Sequence, residues 1–138
     1  MMRDDNFLNE RLISIWNILF PEVPKANKVI IRFKGKWKNK FGHIKKIKDK
    51  TEIVVNGLFK EEVVPEFIID LTIAHELIHY MHGFNSPLPR KYKYPHQGGI
   101  VTKELKNRGF DHLLKKEKEF LKKWPDLYLL ISNETFIN

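Results

Sequence analysis

The sequence predicts an α+β fold, in which a small, three-stranded, largely antiparallel sheet packs with an N-terminal helix and with later helices. Apolar residues recur at helical spacing near the N-terminus, short alternating segments follow, and helical spacing returns beyond residue 65. A chain of 138 residues with 42% hydrophobic content can bury one core. We therefore expect a single domain over residues 1–138.

The first predicted element is a helix over residues 6–20, where apolar residues recur every three or four positions. Pro21 and Pro24 end this helix, because proline has no amide hydrogen with which to continue it. We expect its apolar stripe to pack in the core. The members of the stripe are Phe7, Leu8, Leu12, Ile15, Trp16 and Leu19.

Three short strands are predicted next, over residues 28–34, within residues 37–47 and over residues 51–55. Glycine and asparagine residues lie between them, as is typical of turns. Strands that follow one another with tight connections favour antiparallel pairing. The sequence therefore predicts a small, largely antiparallel sheet before the central helix.

Eight lysines occur from Lys34 to Lys50, interleaved with Trp37, Phe41 and His43. Such a run can contact nucleic-acid phosphates while its aromatic rings stack on exposed bases. It can equally form a solvated surface that discourages aggregation between sheet edges, and we favour this interpretation because charge runs are usually solvated. The formal net charge of +8 permits single-stranded DNA as a partner but does not assign one.

The strongest chemical signature is Ala-His-Glu-Leu-Ile-His-Tyr at residues 74–80, within a strongly apolar predicted helix. His75 and His79 are four residues apart, so they project from one helical face and can bind one Zn²⁺. Glu76 points toward the same opening and can take a proton from a water that the zinc activates. A metal site also explains how these polar groups are buried, which would otherwise cost several kcal/mol.

A catalytic zinc usually has three protein ligands and a water, so one ligand is still missing. His96, which precedes a predicted helix over residues 100–108, and Glu104 within that helix are both candidates. His82 lies on nearly the same helical face as His75, but one turn beyond His79 it would lie too far along the helix to share the ion. A compact pattern with glycine and histidine eight and eleven positions into the motif fails here, because those positions are His82 and Asn85.

A final helix is predicted from residue 111 onward, with its lysines largely off the apolar stripe. We expect this helix to pack on the core and to break near Pro125, leaving residues 127–131 as a short apolar tail. The stripe comprises Leu113, Leu114, Glu117, Phe120, Leu121 and Trp124.

A short sheet, the His-Glu-Leu-Ile-His motif at residues 75–79, a loop, and then His96 opening a helix together resemble the SprT-like metalloprotease domain. This family includes the Spartan-type proteases that degrade proteins crosslinked to DNA. The resemblance runs from about residue 29 to residue 109 and implies a zincin-like fold. Many bacterial relatives carry a Cys-rich zinc ribbon, whereas this chain has no cysteine. Any DNA contact would therefore come from its own basic surface.

The resemblance also implies the third zinc ligand. In the family this ligand is a histidine that opens a helix, usually followed by glycine and, slightly later, by an aromatic residue. His96 takes this position, but Gln97, Gly98, Gly99 and Ile100 follow it, so the local match is partial. We therefore expect Zn²⁺ to be bound by His75, His79 and His96.

The activity that the resemblance implies is zinc-dependent cleavage of a protein or peptide, with DNA-bound or DNA-crosslinked proteins as one substrate class. Zn²⁺ would polarise the scissile carbonyl, and Glu76 would act as general base. An extended substrate could pair with residues 51–55 if that strand forms an edge of the sheet. Tyr92 or Tyr94 could donate a hydrogen bond to the oxyanion, although we favour a packing role for both in their loop.

Two other function classes remain open. One is a non-catalytic nucleic-acid-binding module with a structural metal, which Glu76 argues against because such a site needs no base. The other is a zinc hydrolase with a non-peptide substrate, since the motif describes chemistry rather than substrate. The chain has no run of about 18 apolar residues, no signal-peptide core and no cysteine, so we expect a cytoplasmic protein without membrane contact.

Overall fold

The computed structural model describes residues 2–137, which form four α-helices and one three-stranded sheet, so the α+β class is confirmed. Short 3₁₀ turns precede the second and third helices. The helices are α1 (Asp5–Leu19), α2 (Glu66–Met81), α3 (Ile100–Asn107) and α4 (Asp111–Ile137), and the strands are β1 (Val29–Lys34), β2 (Gly42–Ile47) and β3 (Lys50–Asn56).

The sheet is mixed, and its strand order is β1-β3-β2. Strands β2 and β3 pair antiparallel, as expected, and a two-residue turn joins them, in which Lys48 has a φ of 56°. Strands β1 and β3 pair in parallel, which was not expected. The parallel pairing arises because residues 35–41 do not turn back beside β1. They cross the end of β3 and allow β3 to lie in the middle.

Buried hydrogen bonds hold this crossing segment in place. The side chain of Asn56 is fully buried and donates through Nδ2 to the carbonyl oxygens of Trp37 at 2.7 Å and Lys40 at 2.9 Å. The amide of Gly57 donates to the carbonyl oxygen of Gly35 at 3.1 Å. Because β3 is central, the condition for substrate pairing at residues 51–55 is not met. Within the described sheet, β1 and β2 are the edges, and β2 carries the lysines that suit an edge strand.

Helix α2 forms the centre of the core and packs against α1, α3, α4 and both strands β2 and β3. Pro65 precedes its first residue, as predicted, and Arg11 of α1 forms a two-pronged ion pair with Asp70. Gly83 ends the helix with a φ of 83°, and a Cβ there would lie 2.5 Å from the carbonyl oxygen of Pro89. The fully buried apolar residues of α2 include Ile68, Ile69, Ile73, Leu77 and Ile78.

Helix α4 continues through Pro125, so the predicted break and the separate tail over residues 127–131 are wrong. Proline in a helix interior costs about 3 kcal/mol, and buried residues on both sides offset this cost. Trp124 donates through Nε1 to the carbonyl oxygen of Lys38 at 2.6 Å, and Ile131 is buried about two turns later. Among the described residues, no helix combines the length and apolar character needed to cross a membrane.

Candidate active site

Three histidines converge at the open end of the core. His75 and His79 lie on α2, and His96 precedes the turn into α3. Nε2 of His96 lies 3.1 Å from Nε2 of His75 and 3.1 Å from Nε2 of His79, and all three ligand atoms lie within 4.8 Å of one another. Nitrogens that share a tetrahedral Zn²⁺ at 2.0–2.1 Å are roughly 3.3 Å apart. The spacing therefore suits a metal ion, and the three histidines could hold one.

Burial keeps two of these imidazoles in the form that binds metals. Removal from water lowers the pKa of His75 to about 4, and the neighbouring His96 adds to the effect. Removal from water, with repulsion from His75, also lowers the pKa of His79 to about 3. Both rings are thus neutral at pH 7, with a nitrogen lone pair available. Imidazole donors suit zinc and several other divalent metals, so the cluster does not select one metal.

Two glycines bring His96 back to α2. Gly98 and Gly99 have φ angles of 60° and 68°, in the left-handed region that side chains rarely adopt. The loop before them is fixed to the end of α2, where the amide of Lys91 donates to the carbonyl oxygen of His82 at 3.0 Å. The His-Gln-Gly-Gly sequence is therefore a local signal for the turn that directs His96 toward the other histidines.

Glu76 lines the same cavity as His75 and His96, a space of about 610 Å³. Its side chain is only 5% exposed, and no described residue forms a hydrogen bond or an ion pair with its carboxylate. Burial raises the pKa of Glu76 to about 8, while the positive charge of Lys40 opposes this rise. A buried carboxylate without a partner lowers stability. Such a group is more typical of a functional site than of a structural one.

Strand β2 approaches α2 so closely at Gly42 that no side chain fits there. A Cβ at this position would lie 2.7 Å from Cγ2 of Thr72, 2.7 Å from the carbonyl oxygen of Val54 and 3.5 Å from Oε2 of Glu76. The glycine thus sets the distance between the strand and the candidate base. From the sequence, Gly42 is only a turn signal, and its role at the site was missed because contacts between β2 and α2 are not local.

The other candidate residues lie outside the histidine cluster. Glu104 accepts a hydrogen bond from Nε of Arg108 at 2.8 Å, and it does not join the three histidines. His82 is buried with its ring 4.9 Å from that of Tyr92, and it is also absent from the cluster that the described residues form. Neither Tyr92 nor the exposed Tyr94 lines the cavity. The loop tyrosines are therefore not placed to act on a substrate in the cavity.

Most aromatic side chains of the lysine-rich segment are used for packing. Trp37 is half-buried and packs against His43, with its ring centroid 5.6 Å from that of the histidine. The ammonium of Lys40 lies 4.4 Å from the centroid of the Trp37 ring. Phe41 packs edge-on against Phe59. The neighbouring lysines are exposed, so the surface is basic but offers few free rings for base stacking.

No protein-family model, no curated protein and no solved structure matches this chain.

Proposed function

We propose that this chain is a zinc-dependent endopeptidase of the SprT-like, zincin type. The observation that carries the proposal is Glu76, a buried carboxylate that has no partner among the described residues and that lines one cavity with His75 and His96. A structural metal site needs ligands only and gains nothing from an unpaired acid beside it. A hydrolytic site needs a base at this place.

The residues of the chain would divide the chemistry as follows. His75, His79 and His96 would hold the ion through their Nε2 atoms, because these atoms converge. Zinc bound there would supply Lewis-acid activation of a water molecule and of the scissile carbonyl. Glu76 would accept the proton of the attacking water and deliver it to the nitrogen of the leaving amine. In the metal-free protein, burial raises the pKa of the Glu76 carboxyl toward neutrality, which suits a group that must take up a proton and release it again.

The free edge of β2 supports a peptide as substrate. The amide of Asn56 donates to the carbonyl oxygen of Phe41, so by alternation the backbone groups of Gly42, Ile44 and Lys46 face away from β3. The carbonyl oxygen of Ile44 accepts a hydrogen bond from Asn85 at 3.2 Å. An extended peptide could pair with the remaining outward groups, beside Glu76. A small non-peptide substrate would make no use of this edge.

DNA-bound proteins are the substrate class that the resemblance favours. The support from the molecule is the exposed side chains of Lys34, Lys36 and Lys38, which precede Lys40 at the rim of the cavity. These lysines could contact phosphates and bring a DNA-bound protein to the site. Because Trp37 is packed, the contact would be electrostatic and would weaken steeply with salt.

The test is cleavage of an unfolded, basic protein by zinc-depleted and zinc-restored enzyme, with and without single-stranded DNA. We expect cleavage only with zinc. His96→Ala should abolish cleavage and weaken zinc binding, whereas His112→Ala, at an exposed position outside the cluster, should change neither. Cleavage that His96→Ala leaves intact would contradict the proposed site. Cleavage without a DNA effect would retain the peptidase and remove the DNA-bound substrate. Zinc binding without any cleavage would favour a non-peptide hydrolase or a structural metal.

A further inference from the structure

The cavity at the site extends beyond Glu76 into a largely apolar compartment between α2, α3 and α4. Two of its lining residues are acidic, Glu76 and, on α4, Glu117. The apolar residues of this compartment have no role in the proton transfer that we propose at Glu76. Its leucine and valine residues are Leu71, Val101, Leu105, Leu114 and Leu121.

Glu117 lies on the apolar face of α4, three residues after Leu114 and four before Leu121, although its helix is rich in lysine. The side chain is half-buried, and no described residue forms a hydrogen bond or an ion pair with its carboxylate. Burial raises the pKa of the Glu117 carboxyl. The cation at the other end of the cavity, Lys40, acts on Glu76 and lies against Trp37.

We propose that this compartment is a subsite for a lysine or arginine side chain of the substrate, with Glu117 as the residue that selects the positive charge. The aliphatic part of such a side chain would pack on the leucines, and its charged end would reach Glu117. A purely apolar side chain would leave the carboxylate desolvated and unpaired. An acidic side chain would be repelled. The assignment of this group to a substrate rests on the proposed peptidase function, whereas the binding of the cation does not.

The binding test uses the zinc-loaded, full-length Glu76→Gln protein, which removes the second acid of the cavity and should prevent cleavage. The probe is n-butylguanidinium, with n-butanol as the neutral match, and the readout is the NMR shift of the Glu117 carboxyl carbon. We expect saturable binding of the cation and at least tenfold weaker binding of the alcohol. Adding Glu117→Gln should remove the difference between the two probes. Adding Glu119→Gln, at an exposed residue paired with Lys122, should leave it unchanged.

Absence of saturable cation binding, or a preference for the cation over the alcohol that Glu117→Gln leaves unchanged, overturns the subsite. A second arm measures cleavage by the wild-type enzyme of peptides that differ by lysine or norleucine at one position. A lysine preference of tenfold or more in kcat/KM that Glu117→Gln abolishes supports the proposal. If peptides are cut without such a preference, the peptidase stands and the subsite fails. If the cation binds at Glu117 but no peptide is cut, the cation site stands, and the proposed function fails together with the assignment of the site to a peptide substrate.

Discussion

Two glutamates are buried among the residues that the structure describes, and their surroundings differ. Glu52, on β3, is fully buried, but its carboxylate forms ion pairs with Arg32 of β1 and with Lys45 of β2, the latter at 3.5 Å. Glu76, on α2, is almost as deeply buried and has no partner among the described residues. The first charge is compensated by the strands on either side of it. The second is exposed to a cavity lined by two of the three clustered histidines.

The difference is the one expected between a structural acid and the proposed catalytic one. Glu52 links three strands, and its two cations keep part of their side chains in water, so the arrangement favours the native sheet. Glu76 makes no comparable contribution to stability, because burial disfavours its charged form. The same burial raises its pKa to about 8, and a carboxylate with a pKa near neutral can act as a general base. The two residues should therefore affect stability with opposite signs.

The largest expected effect on stability is a gain on replacing Glu76. Because burial raises the pKa of this acid to about 8, the metal-free protein should lose stability as the pH rises from the unfolded value of 4.5 to about 8. Glu76→Gln removes that loss. We expect the free energy of unfolding of the metal-free protein to increase by on the order of 4 kcal/mol at pH 8. Urea denaturation of the two proteins at pH 4.5 and at pH 8 measures this gain in stability.

At pH 4.5 the same variant should differ little from the wild type, because Glu76 is then protonated in the folded protein and about half protonated in the unfolded protein. Glu119→Gln, on the exposed side of α4, is the control and should show no pH-dependent gain. A Glu76→Gln protein that is less stable than the wild type at pH 8 would mean that the carboxylate has a stabilising partner.

Replacing Glu52 should have the opposite sign. Glu52→Gln leaves Arg32 and Lys45 without their shared counter-charge and buries an amide in its place. We expect a loss of about 2 kcal/mol, less than for a fully buried pair because both cations are partly exposed. Urea denaturation at pH 7 measures the loss, and high salt should reduce it only in part. An unchanged midpoint would refute the structural role assigned to this residue.

The smallest predicted stability effect concerns the distance between β2 and the candidate base. Gly42→Ala introduces a methyl group 2.7 Å from Thr72 and 2.7 Å from the backbone of Val54, so the strand must shift. We expect a loss of roughly 1–2 kcal/mol in stability. Peptide cleavage should fall by a larger factor than the stability loss alone explains, because the shifted strand would change the distance between β2 and Glu76. Full activity in a destabilised Gly42→Ala protein would contradict a role of β2 in the site.

The sequence predicted the elements well where the signal is local. The helix expected over residues 6–20 is α1 (Asp5–Leu19), and the strand expected over residues 51–55 is β3 (Lys50–Asn56), because periodicity and turn residues lie within each segment. Strand order could not be predicted in the same way. The segment before β2 looks like a turn, and only its buried hydrogen bonds to Asn56 show that it crosses the sheet.

For the candidate site, too, the sequence indicated the local features but not those that depend on tertiary packing. The spacing of His75 and His79 is visible in the sequence, because both lie on one face of α2. His96 could be preferred over Glu104 only through the family resemblance, since it lies 17 positions after His79 in the sequence. Nothing local indicated that Glu117 would line the cavity, because α4 reaches it only through tertiary packing. The role of His96 as a metal ligand stays a prediction.

The most direct test of the central claim compares wild-type and Glu76→Gln protein, both loaded with zinc, on the same unfolded peptide substrate. Zinc content is measured on each sample before the assay. We predict one zinc per chain in both proteins and a kcat/KM lower by roughly 10²–10⁴ in the variant, the usual effect of removing a general base. Equal cleavage by two equally loaded proteins would contradict the assignment of Glu76 as the base.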